Sequence, residues 1–382
     1  MKRRQFIRSA TVAGAGGLTS GTAYARKPAV MSRSLNREFI RVGMVGLGPY
    51  SHAMAYTQAI NESSVPPRTT MKVVAVWGKD DNYRGSFRGS DTFVAKRMTD
   101  LSSYQSRDRY TKELGVEHVV RRPEDMVRLV DAVFIMDPED SLNLAKPFIE
   151  AGKPLFVNRP FAWNMRDARE LLRLAKNADV PVITGSCVPW MNEFQVAKMQ
   201  LSDKKIQSYY TDGSTANFCS YMPHILETAQ MLVGGKVIRC STHGFSWPAS
   251  DDPLSIPPVM THLEYEKTEE DRNPVIGVAS TWYGKPYRNW VKVHCDGDVI
   301  EQGVYWESGP DRVAHDEHLW MPLLRVVART FETGNSPEDD DYILQKVSTM
   351  LMAHKSGIQG GQPVGIGEID NHELPRLETE KA

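Results

Sequence analysis

Between residues 39 and 186 the chain alternates short apolar runs with amphipathic ones, and this constrains the fold more than any other feature. "EFIRVGMV" alternates and then runs apolar, as a buried strand does. Gly46-Leu47-Gly48 breaks it, and residues 51–60 read as a helix. "MKVVAVWG" is a second, Val-rich strand, and the polar stretch 81–110 reads as a surface insertion. "RPEDMVRLV" reads as a short helix, "DAVFIMDPED" as a strand stopped by proline, and "SLNLAKPFIEAG" as a helix. "KPLFVNRP", "NMRDARELLRLAKNAD" and "VPVITGS" continue the series as strand, helix and strand. Such alternation predicts an α/β fold with a doubly wound parallel sheet covered on both faces. From about residue 187 longer strands such as "KIQSYYTDGST" and "NWVKVHCDGDVIEQGVYWE" take over, with helices at "PHILETAQMLVGG", "LWMPLLRVVARTFETG" and "DYILQKVSTMLMAHKSG". That half is predicted as a second, α+β domain with a large open, mostly antiparallel sheet. The 382 residues suffice for both cores.

The N-terminus reads as an export signal. "MKRRQFIRSATVAGAGGLTSGTAYA" has a basic start, a mildly apolar middle and a small-residue end at Ala23-Tyr24-Ala25. Arg3-Arg4 followed by Phe6-Ile7 fits the twin-arginine pattern, and that route carries folded, cofactor-loaded proteins. The expected organisation is a signal at 1–25, a linker at 26–38, a Rossmann domain at 39–186 and a substrate and oligomerisation domain at 187–382, in a periplasmic protein. No stretch is long and apolar enough for a stable membrane span. A formal net charge of −1 gives no electrostatic reason to expect nucleic acid. Cys187, Cys219, Cys240 and Cys295 form no CxxC, so they read as packed thiols rather than a metal site.

Gly46-Leu47-Gly48-Pro49-Tyr50-Ser51 lies between the first strand and the first helix. Glycines there let the backbone turn and approach a pyrophosphate, which the helix N-terminus then attracts. Gly46, Gly48, Pro49, Tyr50 and Ser51 are therefore candidate cofactor contacts. Asp137, Pro138 and Asn158, at the ends of later strands, join them on the same rim. An acid closing the second strand would favour NAD, but the strand ends Trp77-Gly78-Lys79-Asp80. Gly78 and Lys79 tilt the reading from NAD to NADP; Lys79 reads equally as a solvated loop charge.

The order of the glycine turn, "DAVFIMDP", "AGKPLFVNRPFAWNMRDARELLRLAKNADVPVITGS", "MPHILETAQMLVGG" and "FETGNSPEDDDYILQKVSTMLMAHKSGIQGGQPV" resembles the Gfo/Idh/MocA family of oxidoreductases. The resemblance spans residues 39–365 and implies bound NAD(P), a sugar or polyol substrate, and a homo-oligomer built on the open sheet. Two departures stand out. The family's Glu-Lys-Pro is Asn158-Arg159-Pro160 here, and its Asp-x-x-x-His is Ser220-Tyr221-Met222-Pro223-His224. Arg159 keeps the charge and gains a donor fork that suits a carboxylate, a phosphate or a vicinal diol, but it cannot shuttle protons. His224 is the candidate general acid/base, or else a packed helix-start histidine. Ser220 and Glu227 are candidate substrate contacts beside it. Trp190 either stacks on a sugar ring or packs at the domain junction. His315 and His318 lack a third ligand and read as a solvated helix start rather than a metal site. The main expectation is an exported oxidoreductase with His224 and Arg159 as the catalytic pair. The alternatives are a glycoside-cleaving enzyme on the same fold, or a non-catalytic protein that binds ligands or assembles.

Overall fold

The structure, a computed structural model, describes residues 38–46, 52–62, 70–78, 109–137, 140–214, 218–244, 259–267, 276–282, 287–306 and 317–375. Among them the first sheet is formed by β1 (Ile40–Val45), β2 (Met71–Trp77), β3 (His118–Val119), β4 (Ala132–Ile135), β5 (Leu155–Val157) and β6 (Val182–Thr184). All are parallel, in the order β3-β2-β1-β4-β5-β6. Helices α1 (Ala53–Glu62), α2 (Ser141–Glu150) and α3 (Met165–Asn177) connect these strands. The apolar runs are central strands buried on both sides: Val42, Val73, Ala75, Val133, Phe134 and Phe156 have no exposed surface. Asn164 caps α3 by accepting from Asp167 N–H, which gives this strongly amphipathic segment a defined start.

The second sheet has the order β12-β11-β7-β10-β9-β8-β13. Its strands are β7 (Ile206–Ser214), β8 (Val237–His243), β9 (Val259–Tyr265), β10 (Ile276–Trp282), β11 (Tyr287–Cys295), β12 (Asp298–Trp306) and β13 (Val364–Gly365). Only β7 and β10 run parallel; the other pairs are antiparallel. Burial alternates along β9, so one face of the sheet meets the core and the other does not. Four helices belong to this half: α4 (Asn192–Leu201), α5 (Phe218–Val233), α6 (Glu317–Thr333) and α7 (Asp340–Ile358). Helix α4 and the two-residue strands β3 and β13 are elements that the sequence pattern does not reveal. Only Phe194, Ala197 and Leu201 are buried on α4, and Met191 gives it no side-chain cap.

The two halves share one core. Helix α6 packs on α1, with Phe331 edge-on to Phe134 at 5.8 Å and Trp320 against Tyr56 at 5.3 Å. The tail returns to the first half, where Leu374 N–H donates to Trp163 O at 2.9 Å and the Trp163 indole donates to Pro375 O at 3.0 Å. All four cysteines are buried, and burial pushes the Cys240 thiol far above its ordinary range. Among the described residues no helix is long and apolar enough to cross a membrane. The expected signal, most of the linker and residues 81–108 of the insertion read at 81–110 lie outside the described residues; its last residue, Tyr110, is fully buried in a helical turn rather than at the surface.

Candidate active site

In an open parallel sheet the strand order reverses between two neighbouring strands, and a crevice opens at their carboxyl ends. Here that switch point lies between β1 and β4. β1 ends on Gly46, which has a φ of +99° and donates to Trp77 O at 2.9 Å. A Cβ at Gly46 would stand 2.7 Å from Asp137 N, so the two strand ends meet only because residue 46 has no side chain. Gly46→Ala is expected to cost about 1–3 kcal/mol in backbone strain and to weaken nucleotide affinity, read by urea unfolding and NAD titration.

β2 ends on Trp77 and Gly78; the indole donates to Arg121 O at 3.1 Å, and no acid closes the strand among the described residues. Gly48, Pro49, Tyr50, Ser51, Lys79 and Pro138 lie outside the described residues. Asn158 is buried past the end of β5, with its N–H on Ile135 O at 2.8 Å and its amide nitrogen 3.4 Å from Met136 O.

Next in the chain, Arg159 is only 6% exposed. Its Nε donates to His224 Nε2 at 2.9 Å, and Nη1 reaches His52 Nδ1 at 3.1 Å and Asn158 Oδ1 at 3.4 Å. The structure thus joins the two residues that the sequence singles out as a catalytic pair. It adds His52, which precedes α1 and packs on Trp320 with ring centroids 4.7 Å apart. Its position just after the glycine turn was the one available sequence signal for His52.

His224 lies on α5 and is buried. Burial holds it well below the ordinary histidine range, and Arg159 and His52 push the same way. Burial and then Arg159 do the same to His52. Because Arg159 must donate, His224 Nε2 is an acceptor, and the proton of the neutral ring sits on Nδ1. Nδ1 is 2.5 Å from Ser186 Oγ. The hydroxyl partner of His224 is therefore Ser186, from the loop after β6. The side chain of Ser220 lies outside what is described, as does that of His318, and so does His315 altogether.

Behind Ser186 is a buried ion cluster. Glu227 Oε2 accepts from Ser186 N–H at 2.8 Å and lies 3.5 Å from Lys346 Nζ. Lys346 also donates to Glu338 at 2.5 Å and to Thr184 O at 3.1 Å. Burial pulls the Lys346 ammonium down, but Glu338 and Glu227 outweigh it and hold the group above the usual lysine range. The structure thus puts Glu227, read from sequence as a substrate contact, beneath the site, where it anchors the Ser186 loop. Trp190 is partly buried and packs against the core.

Several histidines are held neutral by burial, including His354, which is lowered to about 4, and His372. On unfolding each regains a pKa of about 6.5. Between about 4 and 6.5 the unfolded chain then binds more protons, so stability rises with pH across that window and is lost on acidification. Urea midpoints measured from pH 7.5 down to 4.5 should fall steadily.

The comparisons with known proteins agree with this layout. Residues 40–186 match the family model GFO_IDH_MocA, described as an oxidoreductase family with an NAD-binding Rossmann fold. Apo scyllo-inositol dehydrogenase from Lactobacillus casei has the same fold, with a TM-score of 0.66 at 14% identity over 86% of this chain and 99% of that one. The same enzyme with bound NAD(H) and scyllo-inositol gives a TM-score of 0.64 at 14% identity, with the same 86% and 99% coverage. Myo-inositol 2-dehydrogenase from Lactobacillus plantarum gives 0.64 at 14% identity, again over 86% and 99%. No curated protein matches by sequence. The strand order and the family match converge: residues 40–186 form a six-stranded parallel sheet and match the model of an oxidoreductase family with an NAD-binding Rossmann fold.

Proposed function

We propose that the protein is an exported NAD(P)-dependent oxidoreductase acting on a sugar or polyol. The observation that carries this reading is the 2.9 Å contact between Arg159 Nε and the acceptor nitrogen of His224 beside the sheet's switch point. The strand ends fit a dinucleotide: β1 closes on a glycine that no other residue could replace without displacing Asp137. Gly46, Gly78, Asp137 and Asn158 would hold it, with Gly48 to Ser51 and Lys79 completing the cradle. The position directly after Trp77 holds Gly78 rather than an acid, which favours NADP over NAD. A bound nicotinamide supplies the carbon that accepts or donates hydride.

The chain's own residues manage the proton and the oxygen. A substrate hydroxyl entering between His224 and Arg159 would exchange into their hydrogen bond. His224 Nε2 would accept its proton, and the Arg159 N–H groups would hold the oxygen as negative charge develops. Ser186 keeps the ring in the tautomer that presents Nε2.

Export implies that the cofactor is carried rather than exchanged, and the open second sheet would serve a homo-oligomer. The first test is to purify the exported form, denature it and identify released nucleotide by mass spectrometry, then screen inositols and hexoses for turnover. Stoichiometric NADP(H) or NAD(H) is expected. A protein that is empty and binds neither nucleotide in titration would overturn the reading.

A non-catalytic binding protein is the second reading. One observation favours it: Arg159 occupies the only lone pair that His224 could use as a base.

A further inference from the structure

The charge around Arg159 is not balanced. A buried guanidinium ordinarily has a carboxylate partner, because an isolated charge taken out of water is strongly penalised. Arg159 is 6% exposed, and its contacts among the described residues are His224, His52 and the Asn158 amide. None of these carries negative charge. Both imidazoles are held neutral by burial, so they neither add to the cation nor offset it. The carboxylates of Glu227 and Glu338 are already committed to Lys346.

The donor count points the same way. A guanidinium has five N–H groups. Nε is used by His224, and Nη1 is used by His52 and Asn158. Nη2 reaches only His52 Nε2, at 3.4 Å. A neutral imidazole has one acceptor nitrogen, and the shorter contact assigns it to Nδ1. His52 Nε2 then bears hydrogen, and both N–H groups of Nη2 are left without an acceptor among the described residues. His52 is the partly exposed member of the cluster, so the crevice opens to solvent on its side.

We propose that Arg159 Nη2, beside His52, is the subsite for a carboxylate on the substrate, and that the protein acts on a sugar acid rather than a neutral sugar. This rests on the oxidoreductase reading above. A planar carboxylate fits the guanidinium edge and supplies the negative charge that the described residues around Arg159 lack. A phosphate dianion would overshoot one guanidinium flanked by neutral imidazoles and leave excess negative charge buried. A neutral polyol would leave the cation uncompensated.

The test uses the full mature protein with its nucleotide. Binding is measured by calorimetry for a panel of hexuronates and aldonates, for glucuronamide as the uncharged analogue of glucuronate, for glucose, and for glucose 6-phosphate. At least one sugar acid is expected to bind tenfold or more tightly than its amide or neutral parent and to be turned over. Arg159→Met should erase that difference while nucleotide content and thermal midpoint are retained; Arg159→Lys should keep part of it. Turnover of neutral sugars with every sugar acid inert would overturn the carboxylate subsite and leave the oxidoreductase reading standing. Tighter binding of the phosphate ester, or an Arg159→Met variant that loses nucleotide instead, would also overturn it. Sugar-acid binding in a protein that takes up no nucleotide would sink the oxidoreductase reading and keep the anion site.

Discussion

Replacing His224 with alanine is expected to lower turnover by about two to four orders of magnitude while the nucleotide stays bound. The bond geometry gives the reason. Nε2 is the acceptor that faces Arg159, and Nδ1 is tied to Ser186 at 2.5 Å, so the ring is held in one tautomer. No other described group beside Arg159 offers an equivalent lone pair except His52, whose Nδ1 accepts from Arg159 Nη1. Burial holds His224 well below its ordinary range. The wild-type rate should therefore show its acid limb well below pH 6.5, and a conventional histidine limb near 6.5 would contradict the assignment. Nucleotide content by mass spectrometry separates loss of chemistry from loss of cofactor. Unchanged turnover in His224→Ala would remove the catalytic reading and leave the binding-protein alternative.

Lys346→Met is expected to be the most destabilising single change in the site region, by about 3–5 kcal/mol. It leaves Glu227 and Glu338 buried together without their shared cation, which lies 3.5 Å from one and 2.5 Å from the other. The loss should appear as a lower urea midpoint at pH 7. Adding Glu338→Gln should recover part of it, because the double variant buries one fewer uncompensated charge. Turnover should fall as well. Glu227 holds the Ser186 N–H at 2.8 Å and Ser186 holds the His224 ring, so a cluster that touches no substrate still positions the base. A Lys346→Met protein with native stability and activity would show that the cluster is dispensable.

Much of this was legible in the sequence. Five of the six strands from Ile40 to Thr184 are announced by apolar runs, the exception being the two-residue β3, and the turn at Gly46 by its place between a strand and a helix. Arg159 could be singled out because it follows a recognisable strand, and His224 because its stretch resembles the family's Asp-x-x-x-His; His224 lies inside α5 and not at a helix start. Helix α4 was not legible: three buried residues and no cap give a weak local signal. His52 was missed because its partners lie on β5 and α5, far along the chain. Glu227 was read as a substrate contact because helical spacing puts it one turn from His224. Spacing cannot say that Lys346, from the last long helix, reaches it first.

By itself the sequence determined the two kinds of sheet, the glycine at the switch point and the Asn158-Arg159 pair that closes an apolar run. Those features are written in periodicity and residue type, which act over a few neighbours. Only the tertiary structure decided that Ser186 holds His224, that Glu227 answers to Lys346, and that Arg159 contacts two neutral histidines with no carboxylate partner among the described residues. Those outcomes depend on which distant groups share a buried volume. In that volume each unpaired charge or donor is costly enough to decide which partner it takes.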